Sequence, residues 1–247
     1  MHAILLAAGV GKRLSGLAEG LPKCLLAFNG KTLLARHVEA LAACGVARVD
    51  CVVGYRKDDV ARELADAARR ASIDCGVIEN PQYDRGSIVS LSVARDVFTQ
   101  HASIVMDADV LYQTGLLRRL IDSPHANCLL LDERAAPDEE AMRLGVDQSG
   151  SVRTIQRGLV DGYPLIGEGV GFLKLSPAVG VTLATALTKR LDRGLLDADY
   201  ELAIDDMLQS ERVFAEPVAP FAWTEIDFAE DVRRAEQDVL PLLDSDD

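Results

Sequence analysis

From Ala3 to Ala7 the chain is continuously apolar and then gives way to glycines, the pattern of a strand buried on both faces that feeds a loop. A helix is expected after that loop and Pro22. Further on, Leu33 to Ala43 repeats its apolar positions with helical spacing, and Val49 to Val53 is rich in β-branched residues. Val60 to Ala71 is helical again and Ile73 to Ile78 returns to strand. Ser87 to Val97 then reads as a helix, and Ser103 to Met106 as a strand running into Asp107-Ala108-Asp109. Leu116 to Ile121 follows as a helix and Asn127 to Leu131 as a strand. Strands that alternate with helices in this order predict an α/β fold with a mainly parallel, Rossmann-like sheet and helices on both faces.

The texture changes near Glu133. Arg143 to Val146 and Ser151 to Gln156 flank the turn Asp147-Gln148-Ser149-Gly150, which predicts an antiparallel hairpin and a small lobe for substrate. Gly169 to Lys174 returns to strand, Pro177 to Leu191 and Tyr200 to Leu208 to helix, and Trp223 to Ile226 is a short strand. Ala229 to Leu242 is a last helix, before a Ser245-Asp246-Asp247 tail expected to fray. With 247 residues, 49% of them hydrophobic, one large core can form, so a single domain over residues 1–247 is expected.

The formal charge of −13 changes what that domain can bind. Its summed field repels nucleic acid and anionic membrane surfaces, and an anionic ligand has to be met by a local basic patch. No apolar run is long enough for a membrane span. Lys12 and Arg13 follow the first apolar stretch too soon for a signal peptide, so a cytoplasmic protein is expected. Cys24, Cys44, Cys51, Cys75 and Cys128 are odd in number and lack CxxC spacing, which reads as reduced structural thiols. The four histidines have no metal-ligand spacing and receive no role.

The local basic patch is at the first loop. Leu6-Ala7-Ala8-Gly9-Val10-Gly11-Lys12-Arg13-Leu14 places two glycines where a strand ends, so the backbone can approach a polyphosphate with no side chain in the way. Successive N–H groups before a helix favour anions. A simple β-α turn would account for the glycines equally well. A P-loop does not, because Leu6 stands at its first glycine and Arg13 at its Ser or Thr. A dinucleotide fingerprint fits poorly too, since Leu14 replaces the third glycine and Gly54, not an acid, ends the second strand. With Lys23 of Pro22-Lys23-Cys24-Leu25-Leu26, three cations surround one loop of an acidic chain.

LAAGVGKRL followed by PKCLL resembles the signature of the nucleotidyltransferases that make activated sugars and alcohols, including the MobA-like group. The likeness extends over nearly the whole chain, and it is strongest to the bacterial CTP:phosphocholine cytidylyltransferases and their phosphonate-using relatives. It implies the nucleotide-diphospho-sugar transferase fold, with about 1–132 as the nucleotide-binding half and about 133–247 carrying the acceptor lobe and a second metal carboxylate. It implies that Leu6 to Lys12 cradle the nucleotide, that Arg13 meets the β and γ phosphates, and that Lys23 meets the α-phosphate or the incoming phosphate.

The same resemblance makes Asp109 a ligand of Mg²⁺, with Asp107 a companion on the nucleotide side, and makes Asp227 of Glu225-Ile226-Asp227 the second ligand. Glu225 would share a face with Asp227, and Asp231 would cap the last helix. A lone carboxylate pair at a strand end would otherwise read as a solvated edge. The segment Asn80 to Ser87, with Tyr83, Ser90 and Leu91, resembles the family's base-recognition segment, which puts Asn80, Gly86 and Ser87 on the cytosine; helix capping is the alternative. Glu168, Tyr200, Glu201 and Trp223 fall in segments like those that face the acceptor.

A quaternary ammonium would need several rings, for which Tyr163, Tyr200 and Trp223 are candidates, although aromatic residues make up only 5% of the chain and these three serve equally well as packing residues. A primary amine on Glu168, Glu201 or Asp199, or an uncharged phosphonate, stays open. The implied reaction is Mg²⁺-dependent transfer of CMP from CTP to a small phosphate or phosphonate such as phosphocholine or 2-aminoethylphosphonate. A sugar-1-phosphate nucleotidyltransferase using UTP or dTTP and a non-catalytic nucleotide-binding protein are the alternatives. A homodimer is left open.

Overall fold

The computed structural model describes residues 1–11, 20–135, 141–158 and 160–243. Strand β1 (His2–Ala7) is followed by a 3-10 turn, Lys23–Leu25, and a hairpin of β2 (Ala27–Phe28) and β3 (Lys31–Thr32). Next come α1 (Leu33–Ala43), β4 (Arg48–Val53), α2 (Lys57–Ala71), β5 (Asp74–Glu79), α3 (Ser87–Val93), α4 (Arg95–Gln100), β6 (Ser103–Asp107), β7 (Val110–Tyr112), α5 (Thr114–Asp122) and β8 (Cys128–Asp132). The second half supplies β9 (Met142–Val146), β10 (Val152–Arg157), β11 (Leu165–Leu175), α6 (Pro177–Asp192), α7 (Glu201–Leu208), β12 (Phe214–Pro217) and β13 (Trp223–Glu225). It closes with α8 (Ala229–Arg234), a π-helical turn at Ala235–Val239 and α9 (Leu240–Leu243).

The fold is α/β. Strands run in the order β10-β9-β11-β6-β1-β4-β5, with β8 on the other edge of β11 and β12 beside β8. β6, β1, β4 and β5 are parallel. Because side chains alternate across a strand, Ala3 and Leu5 of β1 enter one core with Leu34, Val38 and Leu64 of α1 and α2. Ile4 enters the other core with Ile88, Phe98, Leu183 and Ile204 of α3, α4, α6 and α7. Burial on both faces is why β1 and β6 are almost continuously apolar. β11 is antiparallel to its neighbours and joins the two halves: Leu165 to Glu168 pair with β9, Phe172 to Leu175 with β6.

The structure departs from the sequence expectations in four places. After Pro22 comes the 3-10 turn and the small hairpin, whose Asn29-Gly30 corner has φ of 50° and 73° at its two residues, the left-handed pair that an Asn-Gly turn supplies. The helix expected over Ser87 to Val97 is divided at Ala94 into α3 and α4. β7 and β12 were not anticipated: three and four residues are too few to show a period. All five cysteines are unpaired. Among the described residues no helix is long and apolar enough to cross a membrane.

Candidate active site

A cleft of about 870 Å³ opens where β1 and β6 end, lined from one side by Leu6 to Gly11 and Asp107 to Asp109 and from the other by residues of β11, α7 and β13. The ends of parallel strands are where open α/β sheets bind ligands. Gly11 has φ +66°, and a Cβ there would press on the Lys23 side chain. Glycine therefore lets Lys23 lie close against the loop. Lys12 and Arg13 lie outside the described residues, as does the Ser245–Asp247 tail.

Lys23 is the hub. Its Nζ donates to Asp109 Oδ2 at 2.8 Å and to Asp227 Oδ1. Burial opposes a charge on this largely enclosed side chain, but Asp109 and Asp227 outweigh it and hold the ammonium well above the usual lysine range. The two carboxylates arrive from distant parts of the chain. Asp109 sits in the turn between β6 and β7, and β7 pairs antiparallel with β13, placing Val110 opposite Glu225. The Ile226 N–H donates to the Asp109 carbonyl at 3.0 Å. Asp231 then accepts from the N–H groups of Asp227 and Phe228, at 3.0 and 2.8 Å, capping α8 and holding Asp227 in place.

Glu225 completes the group: ligand oxygens of Asp109, Glu225 and Asp227 all lie within 4.8 Å of one another. Hard oxygen donors at that spacing suit a hard divalent cation that fills its shell with phosphate and water. Glu225 is the exposed member of the trio; the cleft wall that partly desolvates its carboxylate, followed by repulsion from Asp109 and Asp227, raises its pKa. Asp107 is outside this trio. It accepts a hydrogen bond from the Tyr200 hydroxyl at 2.9 Å, and burial followed by repulsion from Glu201 and Asp109 raises it well above the usual carboxylate range.

The base-side residues divide. Ser87, Ser90 and Tyr83 line the cleft, and Ser87 Oγ accepts from the Tyr200 N–H at 2.9 Å. Asn80 and Gly86 are not among the described lining residues, and other contacts occupy them. Asn80 is buried, donating to Ser90 Oγ at 3.0 Å and accepting from the Gln82 N–H at 2.9 Å. Gly86 packs against the backbone of Asp197 and Ala198, with no room for a Cβ. Both shape the segment that presents Ser87.

On the acceptor side, Glu168, Tyr200, Glu201 and Trp223 all line the cleft. Tyr200 is 4% exposed. Trp223 donates through Nε1 to Asp132 Oδ2 at 2.8 Å. Tyr163 instead covers Gly145, outside the described cleft lining, so the three candidate rings are not gathered around one point. Four arginines that the sequence leaves without a role, Arg85, Arg134, Arg157 and Arg234, also line the cleft. Arg134 grips Asp132 through two parallel contacts, of 2.9 and 2.8 Å, and Arg157 donates to Asp199 at 2.9 Å. The Asp-x-Arg spacing at the end of β8 was a signal available for Arg134.

Glu201 opens α7 with a carboxylate oxygen, Oε2, that is shielded from solvent and has no hydrogen-bond partner among the described residues. Burial pushes its pKa from an ordinary 4.5 up to about 8. An acid whose folded pKa is raised loses folded-state stability as pH climbs from 4.5 to 8, because only the unfolded chain ionises freely in that window. Glu201→Gln should therefore raise the melting temperature, and by more at pH 8 than at about pH 5; scanning calorimetry at both values checks this, and an equal shift at both would contradict it.

A family model described as a MobA-like NTP transferase domain matches residues 3–158. The chain belongs to this family. Over 167 residues it is 28% identical to the 2-aminoethylphosphonate cytidylyltransferase of Lancefieldella rimae, covering 67% of this chain and 65% of that protein. Over 139 residues it is 28% identical to the CTP:phosphoglutamine cytidylyltransferase of Campylobacter jejuni, covering 54% of this chain and 53% of that one. The matches thus span less than two thirds of either relative's length. Among solved structures, the CTP:phosphocholine cytidylyltransferase of Streptococcus pneumoniae superposes with a TM-score of 0.76 at 21% identity, over 96% of this chain and 97% of that one. That likeness is one of fold.

Proposed function

We propose that the chain is a cytidylyltransferase, moving CMP from CTP to a small phosphate or phosphonate with release of pyrophosphate. The observation that carries this reading is the convergence of Lys23, Asp109 and Asp227 beside the glycine loop in one cleft. Asp109, Asp227 and Glu225 would hold a divalent cation, Mg²⁺ in this reading, which supplies charge neutralisation and a template when bound. The loop backbone through Gly11 binds phosphate oxygens, and Lys23 can turn from its carboxylate partners to an oxygen on the α-phosphorus. Because the acceptor oxygen is already an anion near neutral pH, no general base is required. Positioning and charge do the work.

The walls favour one kind of acceptor. Glu201 has a carboxylate oxygen with no hydrogen-bond partner among the described residues, Glu168 and Asp199 line the same cleft, and of the three candidate rings Tyr163 stands outside the described lining. Cation binding to a cage needs open ring faces within about 6 Å. An ammonium with N–H donors fits this wall better than a trimethylammonium, and 2-aminoethylphosphonate has that chemistry. The test is pyrophosphate release with CTP, UTP, dTTP and GTP, each crossed with 2-aminoethylphosphonate, other small phosphonates, phosphocholine and sugar phosphates. CTP with an aminoalkyl phosphonate should be the best pair. Turnover confined to UTP or dTTP with a sugar 1-phosphate would replace the reading with a sugar nucleotidyltransferase, and binding without turnover in every pair would make the protein non-catalytic.

A further inference from the structure

The Asp107–Tyr200 hydrogen bond lies at a place where the sheet has been altered to make room for it. β11 loses its register with β8 between Gly169 and Leu173. Within that break Gly171 takes φ +78°, and a Cβ there would overlap the Asp107 carboxylate. Immediately beyond, Phe172 pairs with Met106 of β6, so the irregularity lies directly beside the carboxyl end of the strand that carries Asp107. A left-handed glycine inside a strand weakens it, and such irregularities commonly sit next to active sites, where they re-aim a side chain. Here it creates the pocket that Asp107 fills.

Tyr200 meets Asp107 from the other wall. Its ring is buried, its hydroxyl donates to Asp107 Oδ2 at 2.9 Å, and its backbone N–H donates to Ser87 Oγ at 2.9 Å. One residue thus joins the start of α3, the start of α7 and the end of β6. Two residues beyond Asp107 stands Asp109, and the intervening Ala108 N–H donates to the Leu6 carbonyl at 3.3 Å. The turn that presents Asp109 is therefore anchored at Asp107 by a side-chain contact and at Ala108 by the end of β1. Asp107 is absent from the carboxylate trio that could share a cation.

We infer that Tyr200 is a positioning residue: through its hydrogen bond to Asp107, seated against Gly171, it fixes the turn that aims Asp109 at Lys23 and Asp227. This rests on the cytidylyltransferase reading for its kinetic arm only. Tyr200→Phe keeps the ring and removes the hydroxyl, so it separates positioning from any contact between ring and acceptor.

Metal binding is read on the nucleotide-free protein from Mn²⁺-enhanced water-proton relaxation, and kcat and KM are measured with CTP and the best acceptor. Outer partners of metal ligands commonly contribute about 10–100-fold in affinity or activity. Tyr200→Phe should weaken Mn²⁺ binding and lower kcat by about tenfold each while both KM values change little. Asp107→Ala should do the same, and the double variant should be no worse than either single one, because one hydrogen bond is lost in all three. Tyr200→Phe that binds Mn²⁺ and turns over like wild type would overturn the inference. So would a fall in melting temperature with unchanged Mn²⁺ affinity, or a Tyr200→Ala effect confined to acceptor KM. If wild type turns over no pair but both variants still lose Mn²⁺ affinity, the function reading falls and this one stands. A wild type that binds no Mn²⁺ without nucleotide overturns this inference and leaves the function reading to the turnover panel.

Discussion

Lys23→Ala is expected to lower turnover by about 10²–10³-fold in a protein that remains folded, the usual cost of losing one preorganised charge contact. The same variant should bind Mn²⁺ more tightly than wild type in the absence of nucleotide. Both effects come from one geometry. The ammonium sits between Asp109 and Asp227, the two carboxylates proposed to hold the cation, so protein and metal compete for the same oxygens. Removing it leaves two partly enclosed carboxylates uncompensated, which destabilises the metal-free protein, and a cation that binds the folded state alone should restore the lost stability. Steady-state kinetics, Mn²⁺ titration and melting curves with and without Mn²⁺ check the three parts. A folded variant with near-normal turnover removes Lys23 from the chemistry; unchanged or weaker Mn²⁺ affinity removes the competition.

Asp109→Asn and Asp227→Asn should each lower turnover by at least about 10²-fold and shift the Mg²⁺ concentration needed for half-maximal rate upward. The double variant should be little worse than either single one. Each amide keeps the size of the side chain and removes its charge, so one substitution already breaks the shared clamp, and residues that act as a unit give non-additive losses. The antiparallel pairing of β7 with β13 and the Ile226-to-Asp109 backbone contact keep the geometry in both variants, since neither depends on a side-chain oxygen. The check is kcat against Mg²⁺ concentration for the three variants. Losses that multiply would mean that Asp109 and Asp227 serve separate sites.

The order of strands and helices was legible because β1 and β6 have apolar centres, β4 ends in the run Cys51 to Val53, and α1, α2 and α6 carry long helical repeats. The placement of Asp109 and Asp227 was read from a motif likeness. Its physical cause, the pairing of two three-residue strands, has no periodic signature. The roles of individual polar side chains were less legible still. Asn80 looks like a base-reading residue in sequence, yet it is buried, bonded to Ser90 and to the Gln82 N–H, and stands outside the described cleft lining. Tyr200 and Trp223 look like rings for a cation, yet their polar ends are bonded to Asp107 and Asp132. Such contacts join residues far apart in the chain, and spacing along a sequence carries no information about them. Gly171 is the counter-example: a glycine inside an apolar strand is a visible mark of a bulge or a close approach, and here it marks the seat of Asp107.

The central claim is that a small phosphate or phosphonate takes CMP from CTP. It is tested most directly by phosphorus NMR of reaction mixtures holding the protein, Mg²⁺, CTP and, in turn, 2-aminoethylphosphonate, other small phosphonates and phosphocholine. The expected result is loss of the three CTP resonances with equal growth of pyrophosphate and of a mutually coupled pair from a new phosphonate–phosphate anhydride, all slowed by about 10²–10³-fold in Lys23→Ala. CTP that persists unchanged, or that yields CDP and inorganic phosphate with no coupled pair from any acceptor offered, would contradict it.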